Sequence, residues 1–363
     1  MQHNDQMSPG YSYEPPVFDR STIPESLQLQ TGETYSVRGL FGRGGFSTVF
    51  RVRDQSGQQY AAKVLALMYN NSSDPELQAY QKIAQNPHTN LLSLHSFGKL
   101  KIPPRGCSDE VIITEACGPS IGDVMIKASM NAGYGKMATF SISDIRQVGR
   151  QVGEALVHLE QLKIYHLDIK PDNVAFTSNV TYALDTNLTP PVITLNDLKI
   201  KLIDYGNSMS HWAPGTARPM LAQPQTSRAP EVFMGIPLDE KSDVWSMGCL
   251  IGTMYIGKPI FTHQSGASQN EKQQSQFEFM VRRMNATIPE DMIEMAKQGR
   301  RCQLKFDFLK NREETNNQDS LMSLIREECD LQFFQFLKYV LIFDPTQRPS
   351  FEEVLHHEFL SNV

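Results

Sequence analysis

The feature that most constrains this chain is a pair of short polar motifs set in apolar surroundings, His166-Leu167-Asp168-Ile169-Lys170-Pro171-Asp172-Asn173 and Asp204-Tyr205-Gly206. Acids and amides in a strand-like context need a chemical reason, because an ion taken from water without a partner is heavily penalised. The residue types supply one. Asp168 can accept the proton of an attacking hydroxyl and aim its oxygen at a phosphorus, and Lys170 can offset charge on that phosphate. Asn173 and Asp204 are hard oxygen donors of the kind Mg²⁺ takes beside phosphates and waters. This set meets the needs of phosphoryl transfer, where positioning and charge neutralisation outweigh covalent chemistry.

Upstream lie the groups such chemistry would need to hold a phosphate donor. Gly42-Arg43-Gly44-Gly45-Phe46-Ser47-Thr48-Val49 falls at a turn between two β-like runs, where Gly42, Gly44 and Gly45 let backbone N–H groups approach phosphate oxygens. A glycine-bearing hairpin of no special purpose reads the same way, and Ser47 stands where a third glycine is expected. Tyr60-Ala61-Ala62-Lys63 ends a third run in a lysine, which alone would read as a snorkelling edge residue. A lysine held against phosphates needs a carboxylate partner. Glu76, in the helix start Ser73-Asp74-Pro75-Glu76-Leu77, is the candidate, and a first-turn glutamate facing solvent is the alternative.

Organisation follows the periodicity. Residues 1–30 carry four prolines and no sustained period, which predicts a disordered tail. From Tyr35 short β-branched and aromatic runs predict a three-stranded antiparallel start, with a turn at Gln55-Ser56-Gly57-Gln58. Beyond Cys117 the spacing of Ile145, Val148, Val152, Leu156 and Leu159 makes one buried helical stripe. Thr177–Asp197 is polar, contains Pro190-Pro191, and reads as a loop inserted between strands. Leu331–Leu360 reads as two helices broken at Asp344-Pro345. The expected fold class is α+β: one two-lobed domain over 31–363, with a small antiparallel-sheet lobe over about 31–115 and a larger, mainly helical lobe over about 116–363.

Composition excludes little but helps with partners. A net charge of −6 gives no field to hold a polyanion, so nucleic acid is not an expected partner. No apolar run is long enough to span a bilayer and the first residues are not a leader, so no membrane partner is expected. Five scattered cysteines without a C-x-x-C pair fit a reducing compartment, cytoplasmic or nuclear; Lys297-Gln298-Gly299-Arg300-Arg301 is too short to decide between them.

Two further pieces read as scaffold. The carboxylate of Ala229-Pro230-Glu231 has a distant basic counterpart in Arg348, and a buried acid of this kind requires a guanidinium. Asp243, at the start of an apolar helix, can accept backbone N–H bonds and hold the catalytic loop. The ordered set from Gly42 to Arg348 resembles the signature of the eukaryotic protein kinases and covers nearly everything outside the tail. Gly118-Pro119-Ser120-Ile121-Gly122-Asp123, Asp144-Ile145-Arg146-Gln147, the insert before Leu198 and the stretch from Met280 to Phe306 resemble the CLK, DYRK and SR-protein kinases, a CMGC-like group.

The resemblance implies a serine/threonine protein kinase using ATP and Mg²⁺ on protein substrates, with Lys63, Glu76, Asp168 and Lys170 catalytic and Asn173 and Asp204 on the metal. It places Val49, Ala61 and Val174–Phe176 around the adenine, Glu115 and Cys117 at the hinge, and Thr114 as gatekeeper. Asp123 would meet the ribose or a basic substrate side chain, or stand as a solvated aspartate. Leu167 replaces an arginine that many kinases use to clamp a phosphorylated loop, which implies activity without such a phosphate. No tyrosine follows Tyr205 before Glu231, leaving Ser208, Ser210, Thr216, Thr226 and Ser227 as modifiable hydroxyls. Gln223-Pro224-Gln225-Thr226-Ser227 departs from the expected substrate-binding loop. A scaffold that binds partners without turnover is the other reading; loss of Asp168 or Asp204 would mark it, and both are present.

Overall fold

The structure, a computed structural model, describes residues 11–12, 23–44, 47–66, 75–210, 222–299, 301–309, 320–326 and 330–361. Along the chain come β1 (Tyr11–Ser12), β2 (Ser26–Gln28), β3 (Thr34–Arg43), β4 (Ser47–Arg53), β5 (Gln59–Ala66), helix α1 (Pro75–Gln85), β6 (Leu94–Lys99) and β7 (Cys107–Glu115). Six of these strands form one antiparallel sheet in the order β2-β3-β4-β5-β7-β6. Leu29 also bridges to Leu100, so β2 touches both ends of the sheet and the small lobe nearly closes on itself. Its core is compact and separate: Leu27, Leu29, Tyr35, Phe50, Val52, Ala62, Val64 and Ile113 are among its buried members.

This corrects the expected tail at its end, residues 23–30; residues 1–10 and 13–22 lie outside the described residues. Ser26-Leu27-Gln28-Leu29 alternates polar and apolar, and burying Leu27 and Leu29 in the core fixes the segment as a strand. The ordered lobe therefore begins before residue 31, and Tyr11–Ser12 pairs elsewhere, as described below.

The larger lobe begins with α2 (Ile121–Ala132), β8 (Thr139–Phe140) and α3 (Ile142–Gln161). A Ser120–Asp123 capping box starts α2, and the Ser141 hydroxyl accepts the Asp144 N–H at the start of α3. The stripe Ile145, Val148, Val152, Leu156 and Leu159 on α3 is buried as its spacing requires. Next come β9 (Ile164–Tyr165), a 3₁₀ turn at Pro171–Asn173, β10 (Val174–Phe176), β11 (Thr181–Asp185), β12 (Val192–Leu195), β13 (Ile200–Leu202) and β14 (Met209–Ser210). The stretch expected as an inserted loop is instead a hairpin. Tyr182 and Leu184 alternate inward on β11, which pairs with β12, and β8 and β1 extend the sheet on either side. Tyr11 lies opposite Tyr182 and Ser12 opposite Thr181.

Helices complete the lobe: α4 (Pro230–Phe233), α5 (Lys241–Ile256), α6 (Gln269–Met284), α7 (Glu290–Gln298), α8 (Leu331–Val340), α9 (Phe351–His356) and α10 (Glu358–Ser361). Apolar on all sides, α5 is buried along its length at the centre of the lobe. The closing stretch breaks at Asp344-Pro345 as expected, with a second break before α10. Among the described residues no helix is long and apolar enough to cross a membrane.

Candidate active site

A cavity of about 500 Å³ lies between the lobes. Its roof comes from β3–β5 (Phe41, Gly42, Val49, Ala61, Lys63), its back from Thr114, Glu115 and Cys117, and its floor from Ser120, Asp123, Asn173, Ala175 and Asp204. Of Val174–Phe176, Ala175 faces the cavity, while Val174 and Phe176 are packed into the core. Gly44 holds the turn by donating its N–H to the Ser47 carbonyl at 2.9 Å; Gly45 lies outside the described residues.

Lys63 is placed by strand register, opposite Val49 on one side and Ile112 on the other. Its Nζ reaches both oxygens of Glu76, at 2.7 and 2.8 Å, and Asp204 Oδ1 at 2.7 Å. Glu76 does sit in the first turn of α1, but it is buried rather than facing solvent. Burial works against the Lys63 charge, yet the Glu76 and Asp204 carboxylates outweigh it and hold its pKa above the ordinary lysine value. Asp204 is likewise opposed by burial and rescued by the Lys63 ammonium and the Gly206 N–H, ending below the usual aspartate value.

The loop from His166 to Asn173 is a self-bonded unit. Asp168 Oδ2 accepts from Lys170 Nζ at 3.0 Å and from Asn173 Nδ2 at 2.8 Å, and the Asn173 amide also donates to the Asp168 carbonyl at 2.9 Å. The Asn173 NH₂ is thus committed, which leaves its side-chain oxygen without a donor among the described residues. Asn173 and Asp204 line the same cavity, and this pair of oxygen donors fits a hard cation such as Mg²⁺. Leu167 and Asp204 both take left-handed backbone, φ 59° and 65°, which marks the loop and the second motif as held in place by their surroundings.

That holding is visible underneath. Asp243 accepts the backbone N–H groups of His166 at 2.7 Å and Leu167 at 2.9 Å. Burial pushes its carboxyl up to about 7 against those two bonds. Above it the ring of His166 packs on Tyr205, with centroids 5.3 Å apart, and Tyr205 meets Tyr80 of α1 edge-on at 5.0 Å. Burial keeps His166 below its usual pKa. Tyr80 was not singled out from the sequence; its signal was the spacing of one helical turn from Glu76, which puts both on one face of α1.

The remaining expected residues fall as follows. Glu115 and Cys117, expected at the hinge, line the back of the cavity, but the Glu115 side chain turns to Lys201 at 2.9 Å and the Ser93 N–H at 2.7 Å. Burial, with Glu115 adding to it, pushes the Cys117 thiol up to about 12. Gly118 is required by close approach: a Cβ there would overlap the Ser178 carbonyl, while its N–H donates to Phe176 O at 2.8 Å. Asp123 caps α2 through Ser120 and lines the cavity at once. Glu231 and Arg348, both with 0% side-chain exposure, meet at 2.9 Å. Of the loop hydroxyls, Ser208 and Ser227 are buried and Thr216 lies outside the described residues.

Gln223 shows how the unusual loop is built. It is buried at φ 67°, its Nε2 donates to Ser242 O and Ser246 Oγ at 2.9 and 3.0 Å, and its Oε1 accepts the Ala229 N–H at 2.9 Å. Its carbonyl is taken by Arg228 Nη2 at 2.9 Å.

The profile of the protein kinase domain matches residues 35–360. The chain is 23% identical over 360 residues to serine/threonine-protein kinase AFC3 of Arabidopsis thaliana, covering 93% of this chain and 84% of that protein. It is 24% identical over 377 residues to dual specificity protein kinase lkh1 of Schizosaccharomyces pombe, covering 96% of this chain and 50% of the relative. With human dual specificity protein kinase CLK4 the figures are 24% over 357 residues, 92% and 68%. A kinase-domain crystal structure superimposes with a TM-score of 0.73 at 22% identity, covering 94% of this chain and all of the other.

Proposed function

Since this chain belongs to the protein kinase family and resembles its CLK-like members, we propose that it transfers the γ-phosphoryl group of ATP to serine and threonine hydroxyls of protein substrates. The observation that carries this reading is the Asp168 carboxylate held between Lys170 and Asn173, beside the cavity where Lys63 joins Glu76 and Asp204. Asp168 accepts the proton of the substrate hydroxyl as its oxygen attacks the γ-phosphorus and ADP leaves. Lys170, within 3.0 Å of Asp168, offsets charge on the transferred group, and Lys63 binds the α- and β-phosphates. Mg²⁺, bound through Asn173 and Asp204, would neutralise phosphate charge. Gly42 and Gly44 present the turn over the phosphates, and the backbone at Glu115 and Cys117 meets the adenine edge.

The resemblance to CLK-like kinases admits proline-directed acceptors, so the residue directly after the acceptor is the position to vary.

The test is MgATP-dependent transfer to arrayed Ser, Thr and Tyr peptides, each with Pro or Ala after the acceptor, beside Asp168→Asn and with nucleotide binding measured in parallel. Ser/Thr transfer that falls about 10²–10⁴-fold in the variant with ATP binding retained supports the enzyme. Nucleotide binding without transfer in the wild type would instead favour a scaffold. Tyrosine transfer at comparable rates would widen the reading to the dual specificity borne in the names of lkh1 and CLK4.

A further inference from the structure

The loop from α1 to β6 connects the helix that carries Glu76 to the strands behind the cavity. At its tip His88 stacks on His158 of α3, with ring centroids 5.0 Å apart and planes 26° apart. Their hydrogen bonds fix the tautomers. His158 Nε2 lies 2.7 Å from the Asn86 carbonyl oxygen, which can only accept, so that nitrogen carries a proton. His88 Nδ1 accepts the Asn90 N–H at 3.2 Å, so it carries none. Asn90 is itself buried: its Nδ2 donates to Gln151 Oε1 at 3.0 Å and Ile200 O at 2.9 Å, and its carbonyl accepts the Leu202 N–H at 2.8 Å. The bare nitrogen of His88 therefore helps close a loop tied at one end to α1 and, through Asn90, to β13, which runs into the Asp204 motif.

We propose that His88 and His158 form a positioning pair that makes phosphoryl transfer sensitive to acid: a proton on His88 Nδ1 turns an acceptor into a donor facing the Asn90 N–H, and the loop that steadies α1 and Glu76 loosens. The link to transfer rests on the kinase reading; the loop device itself does not. Charged groups face His88 from both elements packed on it. From α3, Glu154, paired with Arg150 at 3.1 Å, favours the imidazolium; from β13, Lys201, paired with Glu115 at 2.9 Å, opposes it. Burial and then His158 oppose it more strongly, and the pKa of His88 lies below the ordinary 6.5. The sign follows: the contribution of neutral His88 is present above pH 6.5 and is lost as pH falls through its lower folded value.

The experiment is a titration of the full chain with ¹³C-labelled histidine from about pH 8 to about pH 5, with amide exchange read at Asn90. His88 and His158 resonances are assigned with H88N and H158F. The expected results are a His88 midpoint below 6.5 and Asn90 exchange that rises about tenfold beyond its intrinsic pH dependence, with the same midpoint. An asparagine oxygen at position 88 can accept the N–H two residues on without titrating, so H88N should flatten the acid limb of the transfer rate. H158F removes the neighbouring charge and should move that limb to higher pH. A His88 midpoint at or above 6.5, unchanged Asn90 exchange, or a wild-type acid limb in H88N overturns the proposal. If H88N does not fold, the wild-type titration and exchange decide. If no transfer occurs at any pH the kinase reading fails, and the same two measurements still judge the loop.

Discussion

Arg348→Met isolates what the buried ion pair does for the large lobe. Arg348 gives Glu231 two bonds, 2.9 and 3.0 Å, and donates also to the Lys241 carbonyl at 2.6 Å and the Ile342 carbonyl at 3.0 Å. Methionine deletes these four bonds and a fifth, to the Phe343 carbonyl at 3.4 Å, together with the guanidinium that lies 5.4 Å from the Trp245 ring centroid. Glu231 is left buried with Ser242 Oγ, at 2.7 Å, as its remaining hydrogen-bond partner among the described residues. An orphaned charge of this kind costs about 3–5 kcal/mol. Glu231→Gln spares the bonds from Arg348 to the three backbone carbonyls and exchanges an ion for an amide, at about 1–3 kcal/mol. The double variant removes the orphan charge, so its destabilisation should fall short of the sum of the singles by about 2 kcal/mol or more. Equilibrium urea unfolding followed by tryptophan fluorescence measures all three. Neither residue lines the nucleotide cavity, so the folded fraction should keep its KM for ATP. Strict additivity, or a collapse of kcat at unchanged stability, would refute the assignment of this pair to the scaffold.

Three other substitutions or reactions probe the cavity. Lys63→Met removes the cation shared by Glu76 and Asp204 and should lower kcat/KM by about 10²–10³-fold in steady-state transfer assays, with stability measured alongside. Gly118→Ala forces a Cβ into the Ser178 carbonyl and should cost about 1–3 kcal/mol in denaturant unfolding, with weaker nucleotide binding by calorimetry. Cys117, its thiol pushed up to about 12, should be alkylated by iodoacetamide near pH 8 about a thousandfold more slowly than a free thiol, and more slowly still with nucleotide bound; mass spectrometry of the peptide reports both.

How much of this was readable in the sequence depended on how local each contact is. Asp168, Lys170 and Asn173 lie within one short loop, so their order along the chain nearly dictates that they meet, and the structure brings Lys170 and Asn173 each within 3.0 Å of the Asp168 carboxylate. The chemical type of Glu76 was readable, but its burial was not, because a first-turn position on α1 is ordinarily solvated and only the docking of the helix against β6 and β14, with Lys63 reaching it from β5, covers it. Leu27 and Leu29 show a signal that was present but masked. Their period-two alternation is that of a half-buried strand, in a segment whose prolines just upstream argued for disorder. Gln223 had no local signal at all. A polar residue in a departing loop reads as exposed, yet its amide is used three times over, by Ser242, Ser246 and Ala229, and its carbonyl a fourth time by Arg228. Each partner but Arg228 and Ala229 comes from α5, whose largely apolar sequence fixes its burial and thereby the burial of anything tied to it. The loop that departs most from expectation is thus among the most firmly held. A substitution such as Gln223→Leu should disturb it through the orphaned N–H and carbonyl groups left behind rather than through lost volume.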